Sequence, residues 1–353
     1  MKYDLSICIP TFNRRECLKE LLESIINQID PLTPVEICIG DDASTDDTPS
    51  FINEYQKKYP HIVYYRFSEN VGIDSNILKT VSISHGDYCW LMGNDDKVEQ
   101  GAIDLITRLT KENKELPLFN VNGWQYDSQL RENLYPRVSK GLKKSVLQND
   151  QIFDNLEDIL LYFGDSFGFL GDNVFNRSKW NEVVSSHDLS EYNGSHYIHL
   201  AVFLLMLQRN PHLLYVHQQC WKYRSNNDGF LAILGQVARL KFDVVGYNQI
   251  AQGIFSKNSH LYKIWMSQVI KVHIRNRVIG VKLNQTNSPL RESVLLIYRH
   301  FGRLPAFWVY ILPILLVPRP ILFGLRSLYR MTTRRRQQSH QNESQQNRRF
   351  SSR

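Results

Sequence analysis

Four short apolar runs, LSICI (5–9), VEICIG (35–40), IVYYRF (62–67) and YCWLM (88–92), recur through the first hundred residues. Each is too short for a helix and apolar almost throughout, which is the pattern of a strand buried on both faces. Helical spacing fills the intervals. Leu18, Leu21, Leu22, Ile25 and Ile26 share one face over 15–28; Phe51, Ile52 and Tyr55 share another behind a cap near Ser44 or Thr45; a third helix is expected around 75–84. A βαβαβαβ order predicts an α/β fold with a mostly parallel sheet, because parallel neighbours need crossovers and the crossovers cover both faces.

In such a sheet ligands meet the carboxyl ends of the strands. All four ends here are polar: Pro10-Thr11-Phe12-Asn13-Arg14, then Gly40-Asp41-Asp42-Ala43-Ser44, then Asn70-Val71-Gly72, then Gly93-Asn94-Asp95-Asp96. Ordinary turn chemistry accounts for one such loop and poorly for four together. Asp95 and Asp96 are adjacent like charges, favourable together only where a cation or a shared proton sits between them. The sequence has no GxxxxGK[ST] and no strand-linked GxGxxG, so phosphate is not cradled by a glycine-rich helix start. The remaining solution is Mg²⁺ or Mn²⁺ held by carboxylates and bridging diphosphate oxygens.

Further along, LFNVNGW (118–124) reads as a strand, 166–180 as a glycine-rich loop and strand running into a helix, and 196–208 as a buried helix whose first turn carries His196 and His199. The expected division is 1–240 for the α/β domain (1–116 and 117–240 as its halves), 241–304 for a helical extension, 305–330 for an apolar segment, and 331–353 for a disordered basic tail. The formal charge of +7 resides in residues 324–353, which hold eight Arg and one Glu. The fold itself is therefore neutral, and no nucleic-acid partner is expected. Cys8, Cys38 and Cys89 lie in the apolar runs as small hydrophobes; Cys17 and Cys220 complete an odd set without CxxC spacing. The first ten residues lack the apolar core of a signal peptide, so a reducing cytoplasm is expected.

Residues 307–317 are apolar but too short to span a bilayer, and Pro313, Pro318 and Pro320 interrupt the region. An aromatic start and an arginine-rich exit predict a broken anchor lying in the membrane interface.

SICIPTFNR, ICIGDDASTDDT, ENVGIDSN and GDYCWLMGNDD, in that order over 5–96, resemble the nucleotide-diphospho-sugar-binding half of the GT-A glycosyltransferases, family 2. FGFLGDNVFNRSKWN followed by YNGSHYIH is similar to bacterial O-antigen enzymes of the abequosyltransferase kind. The resemblance implies a GT-A fold and metal-dependent, inverting transfer from a nucleotide-sugar donor, such as CDP-abequose or another CDP-3,6-dideoxyhexose. The implied acceptor is a lipid-linked (undecaprenyl diphosphate) oligosaccharide at the cytoplasmic face of a bacterial inner membrane, with the enzyme peripheral or monotopic. It places Pro10, Thr11, Asn13, Arg14, Asn70, Gly72 and Asn76 around the nucleotide sugar, Asp42 on the base, Asp95 near the ribose and Asp96 on the metal. The family's general base is usually an Asp near the start of a later helix. Here the corresponding Ser195–His199 stretch has no carboxylate, which leaves His199 or His196, with Asp188 and Glu191 as the nearest acids upstream. The alternative reading is a catalytically silent nucleotide-sugar-binding or scaffold protein.

Overall fold

The computed structural model describes residues 2–30, 32–136, 149–227, 229–257, 259–284 and 287–328. The tail expected over 331–353 lies outside them. Strands β1 (Leu5–Thr11), β2 (Val35–Asp41), β3 (Ile62–Arg66) and β4 (Tyr88–Leu91) run parallel in the order β3-β2-β1-β4. Helices α1 (Arg15–Ile26), α2 (Thr48–Lys58) and α3 (Ile73–Ser82) are the crossovers between them. Successive side chains point to opposite faces. Ile7, Ile9, Ile37 and Ile39 pack with α1 and α2, whereas Cys8, Cys38, Cys89 and Leu91 pack with α3 on the other side.

After β4 the chain adds β5 (Lys97–Val98), α4 (Ala102–Glu112), β6 (Leu118–Tyr126), β7 (Asn133–Pro136), β8 (Gln151–Phe153), α5 (Leu156–Phe163), β9 (Asn173–Asn176), α6 (Arg177–Ser186), α7 (Ile198–Arg209) and β10 (Leu213–Arg224). The sheet continues β4-β9-β6-β10-β5. Strand β9 is antiparallel to both β4 and β6, so β6 and β10 run in the direction of β4. Residues 166–172 therefore enter from the carboxyl-end side of the sheet and bring Asp172 and Asn173 to that edge. Trp221 of β10 is buried against two bare backbones. A Cβ on Gly123 would stand 2.4 Å from its ring, and one on Gly171 2.7 Å.

Helices α8 (Gly229–Phe255, bent at Gly235), α9 (His260–Gln268), α10 (Arg275–Asn284), α11 (Asn287–Phe301) and α12 (Leu312–Leu316) follow, with π-helical turns at Val269–Ile274 and Phe307–Ile311. Helix α8 runs through position 240, where the helical extension was expected to begin. The extension packs onto the rest of the fold: Leu240, Val244, Tyr247, Trp265, Ile270, Phe301, Phe307 and Ile311 share one core with α3 and α7. Apolar residues on the inner stripe of a helix must be covered, and the nearest apolar surface is the outer face of α7.

The segment 305–330 is accordingly split. Phe307, Ile311 and Leu322 are buried, while Trp308, Val309, Leu316, Ile321, Phe323, Leu325 and Leu328 are exposed. Among the described residues no single helix is long and apolar enough to cross a membrane; Phe307–Leu316 and Arg319–Leu328 meet at 111°. Pro318 ends the first of these and strands the preceding carbonyls. Buried Lys282 takes them up: its Nζ donates to the carbonyls of Ile314, Leu315 and Val317 at 2.7, 2.7 and 2.5 Å.

Gly123→Ala should destabilise the fold by about 1–3 kcal/mol, since the ring of Trp221 has nowhere to retreat. Chemical denaturation checks this; an unchanged midpoint would mean that the sheet yields at β6.

Candidate active site

The turn after β4 is drawn inward. Asp96 N–H donates to the Gly93 carbonyl at 3.2 Å, and the Asp96 side chain is buried. Its Oδ1 accepts the backbone N–H of Arg224, at the end of β10, at 3.1 Å. The Arg224 guanidinium, only 7% exposed, donates from Nε to the Asp95 carbonyl at 2.7 Å, from Nη1 to the Ser128 carbonyl at 2.9 Å and from Nη2 to Glu20 Oε2 at 3.0 Å. Asp95 Oδ2 accepts from Asn227 Nδ2 at 2.8 Å, and the Asn227 carbonyl accepts from Arg14 Nη2 at 3.1 Å. Burial pushes the Asp95 carboxyl up, against the opposing pull of Arg14, Asn227 and Arg224. The Arg224 backbone N–H and the Asn227 amide thus hold the two carboxylates, and the guanidinium groups of Arg224 and Arg14 fix the backbone around them.

The first and second strand ends are knitted by Asn13, which sits at φ +50°. Its Oδ1 accepts from Thr45 N–H at 2.7 Å and Asp46 N–H at 3.3 Å, while its own N–H donates to Ser44 Oγ at 2.9 Å. With Ser44 and Thr45 so engaged, α2 begins only at Thr48, later than the cap expected at Ser44 or Thr45. Thr11 Oγ1 accepts from Asn94 Nδ2 at 3.0 Å, which joins the first strand end to the acidic turn. Pro10 lies within β1 opposite Gly40.

Buried Asp42 accepts the N–H of Val71 at 2.7 Å and of Gly72 at 3.1 Å, and its carbonyl accepts from Asn70 Nδ2 at 3.3 Å. Burial raises this carboxyl although the two N–H groups oppose the shift. Gly72 takes φ +85°, which lets the loop fold over Asp42. Asn76, expected beside the nucleotide sugar, has partners within the protein. It is buried and its Nδ2 donates to the carbonyls of Gly40 at 3.0 Å and Thr11 at 3.3 Å, so it closes the end of the β1–β2 ladder. Asp41, passed over in the sequence, is fully buried and accepts from Tyr64 Oη at 2.7 Å and Ser44 N–H at 2.9 Å.

The two histidines separate. His199 is 2% exposed within α7 and packs beside Tyr197 and Phe203. Its Nε2 lies 3.3 Å from the Gly168 carbonyl, which accepts from it, and burial pushes the imidazole down to about 4. His199, expected together with His196 as a candidate base, is thus packed inside the fold. His196 is half-buried, adopts φ +66°, and faces a cavity of about 220 Å³ between residues 71–75 and Asn193 and Gly194. The cavity adjoins the loop that covers Asp42. Burial lowers the His196 imidazole, with Asp74 opposing. Asp74 caps α7 from another helix, accepting from His196 N–H and Ile198 N–H at 3.0 Å each. No local signal marks Asp74, because its partners lie more than a hundred residues away. Asp188 and Glu191 are exposed on the loop before α7.

The acidic turn fits a hard divalent cation. Its donors are all carboxylate oxygens, and the Asp96 carboxylate lies against the bare backbone of Gly93, where a Cβ would stand 2.7 Å from Oδ2. Among the described residues no three His, Cys, Asp or Glu converge to hold a metal alone. Phosphate oxygens of a substrate would have to complete the shell.

The family model for glycosyl transferase family 2 matches residues 6–177. The sequence is 31% identical over 278 residues to abequosyltransferase RfbV of Salmonella typhimurium, covering 76% of this chain and 80% of the relative. It is also 31% identical over 110 residues to the GalNAc(5)-diNAcBac-PP-undecaprenol beta-1,3-glucosyltransferase of Campylobacter jejuni, covering 31% of this chain and 35% of that one. In fold it resembles residues 1–349 of S. aureus TarS in complex with UDP, with a TM-score of 0.61, 13% identity, and 95% and 92% of the two chains covered. Four polar strand ends around a paired-carboxylate turn, on a GT-A architecture and with a family 2 relative matched along most of its length, lead to one assignment: the chain belongs to glycosyl transferase family 2 and is a glycosyltransferase.

Proposed function

We propose that this enzyme moves a sugar, with inversion, from a nucleotide diphosphate donor of the CDP-3,6-dideoxyhexose type, CDP-abequose being the first to try, to a hydroxyl of an undecaprenyl-diphosphate-linked oligosaccharide. The observation that carries the reading is the Asp95–Asp96 turn at a strand end, with Asp96 buried and the turn tied by Arg224 and Asn227 to the end of β10. The donor class is supported by the match to an abequosyltransferase over most of both chains. The acceptor class is supported by the shorter match to an enzyme named for an undecaprenol-linked substrate.

Asp96 would hold Mg²⁺ or Mn²⁺ on the diphosphate, and Asp95 would face the ribose. The bound cation supplies charge neutralisation for the departing nucleotide diphosphate. In this reading Asp42, beneath the 71–72 loop, would meet the nucleobase, and Thr11, Asn13 and Arg14 would line the nucleotide pocket. His196 is the general base in this reading: lowered by burial, its ring is neutral at pH 7 and takes the acceptor hydroxyl proton on an imidazole nitrogen as the bond to the anomeric carbon forms.

The exposed face of residues 308–328 is the docking surface for the bilayer in which such an acceptor resides, at the cytoplasmic face of the inner membrane. Its support is the cluster of exposed Trp308, Ile321, Phe323, Leu325 and Leu328 on a bent helix pair. Because Phe307 and Ile311 belong to the core, only the outer side chains serve this contact.

Asp96→Asn, which keeps an oxygen acceptor for the Arg224 N–H, should reduce transfer about 10²-fold or more, as should chelation of the wild type, with the melting temperature little changed. Assay with CDP-abequose and Mn²⁺ checks this; full turnover of the variant would remove Asp96 from the metal. Donor binding without turnover in the wild type would favour the silent alternative.

His196→Gln should cost roughly 10²-fold in rate with donor affinity retained. The wild-type rate should fall on acidification with a midpoint below the ordinary histidine value of 6.5, since the proton-accepting ring must be neutral. If His199→Gln loses the rate and His196→Gln turns over normally, the base lies in α7.

The triple change Ile321→Ser, Phe323→Ser, Leu325→Ser should abolish co-sedimentation with phosphatidylglycerol-containing vesicles at high salt while leaving the fold intact. Undiminished binding would place the membrane contact elsewhere.

A further inference from the structure

The Ser195-His196-Tyr197 segment is gripped from two sides. Helix α8 turns toward it Arg239, Phe242, Asp243 and Gly246, spaced i, i+3, i+4 and i+7 and therefore on one stripe. The Phe242 ring centroid lies 4.3 Å from that of His196. Tyr197 Oη donates to Asp243 Oδ1 at 2.5 Å. Arg239 pairs with the same carboxylate, and its Nη2 donates to Tyr197 Oη at 3.1 Å. At Gly246 the helix backbone comes so close that a Cβ would stand 2.4 Å from the Ser195 carbonyl. On the opposite side, Asp74 of α3 holds the N–H groups of His196 and Ile198.

Asp243 is completely buried, with Arg277 Nε and His273 Nε2 each 2.9 Å from its Oδ2. His273, Arg239 and Arg277 beside it hold its carboxyl well below the usual range despite burial. A buried carboxylate linked to two arginines and a tyrosine is a costly way to pack a helix, since apolar side chains of like volume would suffice. What they would not supply is a fixed direction for Tyr197 and hence for the residue before it. A non-glycine residue at positive φ persists only where its surroundings over-determine it, and His196 is such a residue.

We propose that Asp243, with Arg239 and Tyr197, is a positioning cluster through which the C-terminal helices hold His196 at the cavity mouth in its proton-accepting pose. The inference rests on the reading of His196 as the base. The charged groups facing His196 are Asp74 from α3 and Arg239 and Asp243 from α8, with Arg277 and His273 behind Asp243.

The test is an NMR titration of the His196 ring in histidine-labelled full-length protein, paired with transfer from CDP-abequose. Asp243→Asn should lower the His196 midpoint, because a nearby negative charge that favours the protonated ring is gone. Arg239→Gln should raise it. Tyr197→Phe should lower kcat about tenfold with donor affinity unchanged. If Asp243→Asn does not fold, the other two variants decide. Folded variants with the wild-type midpoint and the wild-type kcat overturn the proposal. Wild-type transfer by His196→Gln would instead overturn the base assignment, and the ring titrations would still judge the clamp.

Discussion

Arg224 is the interaction on which the strand-end site depends. Two neighbouring carboxylates in a buried turn repel one another and lose hydration, and only donors arranged beforehand make such a turn stable. Arg224 meets that need from two directions, with its backbone N–H on Asp96 and its guanidinium on the Asp95 carbonyl, Ser128 and Glu20. A lysine has one point of charge where this site uses a planar fork to reach three separate acceptors. Because Arg224 closes β10, the acidic turn after β4 is completed only when the sheet has been assembled through its far side.

The same long-range logic runs through the rest of the site. Asn76 holds the carbonyls of Thr11 and Gly40, Asn13 holds the Thr45 and Asp46 amides, and Asp74 caps α7. Each is a short polar side chain that replaces a missing backbone partner where two elements end side by side. The loops around the cavity are therefore fixed by hydrogen bonds within the protein, which leaves the carboxylates of the acidic turn and the ring of His196 oriented before any ligand arrives. Preorganisation of this kind is what a displacement at an anomeric carbon requires of a protein scaffold.

The C-terminal helices extend this framework. They cover α7, bring Asp243 against Tyr197, and present an apolar rim beyond Lys282, whose three carbonyl contacts satisfy the backbone where Pro318 breaks the helix. An apolar sequence of this length does double service: its inner side chains close the core and its outer ones remain exposed.

The first four strands, their crossover helices and the acidic turn were legible in the sequence because each is coded by neighbours. Periodicity two or continuous apolarity marks a strand, periodicity 3.6 marks a helix, and the polar residues that follow mark a strand end. The same local code indicated α7 and the glycine-rich entry to β9. It could not distinguish His196 from His199: they stand three residues apart in one apolar stretch, and only the tertiary structure puts His196 before the helix at positive φ, beside a cavity, and His199 inside it. Nor could it assign Asn76, which reads as one more polar residue at the start of a helix until the β1 and β2 carbonyls stand beside it. Arg224, Asp74 and Asp243 were invisible for the same reason, since their partners are distant in sequence and near only after folding. Local pattern thus determined the architecture and the acidic turn, whereas tertiary contacts decided which polar groups hold the site together and which are left to do chemistry.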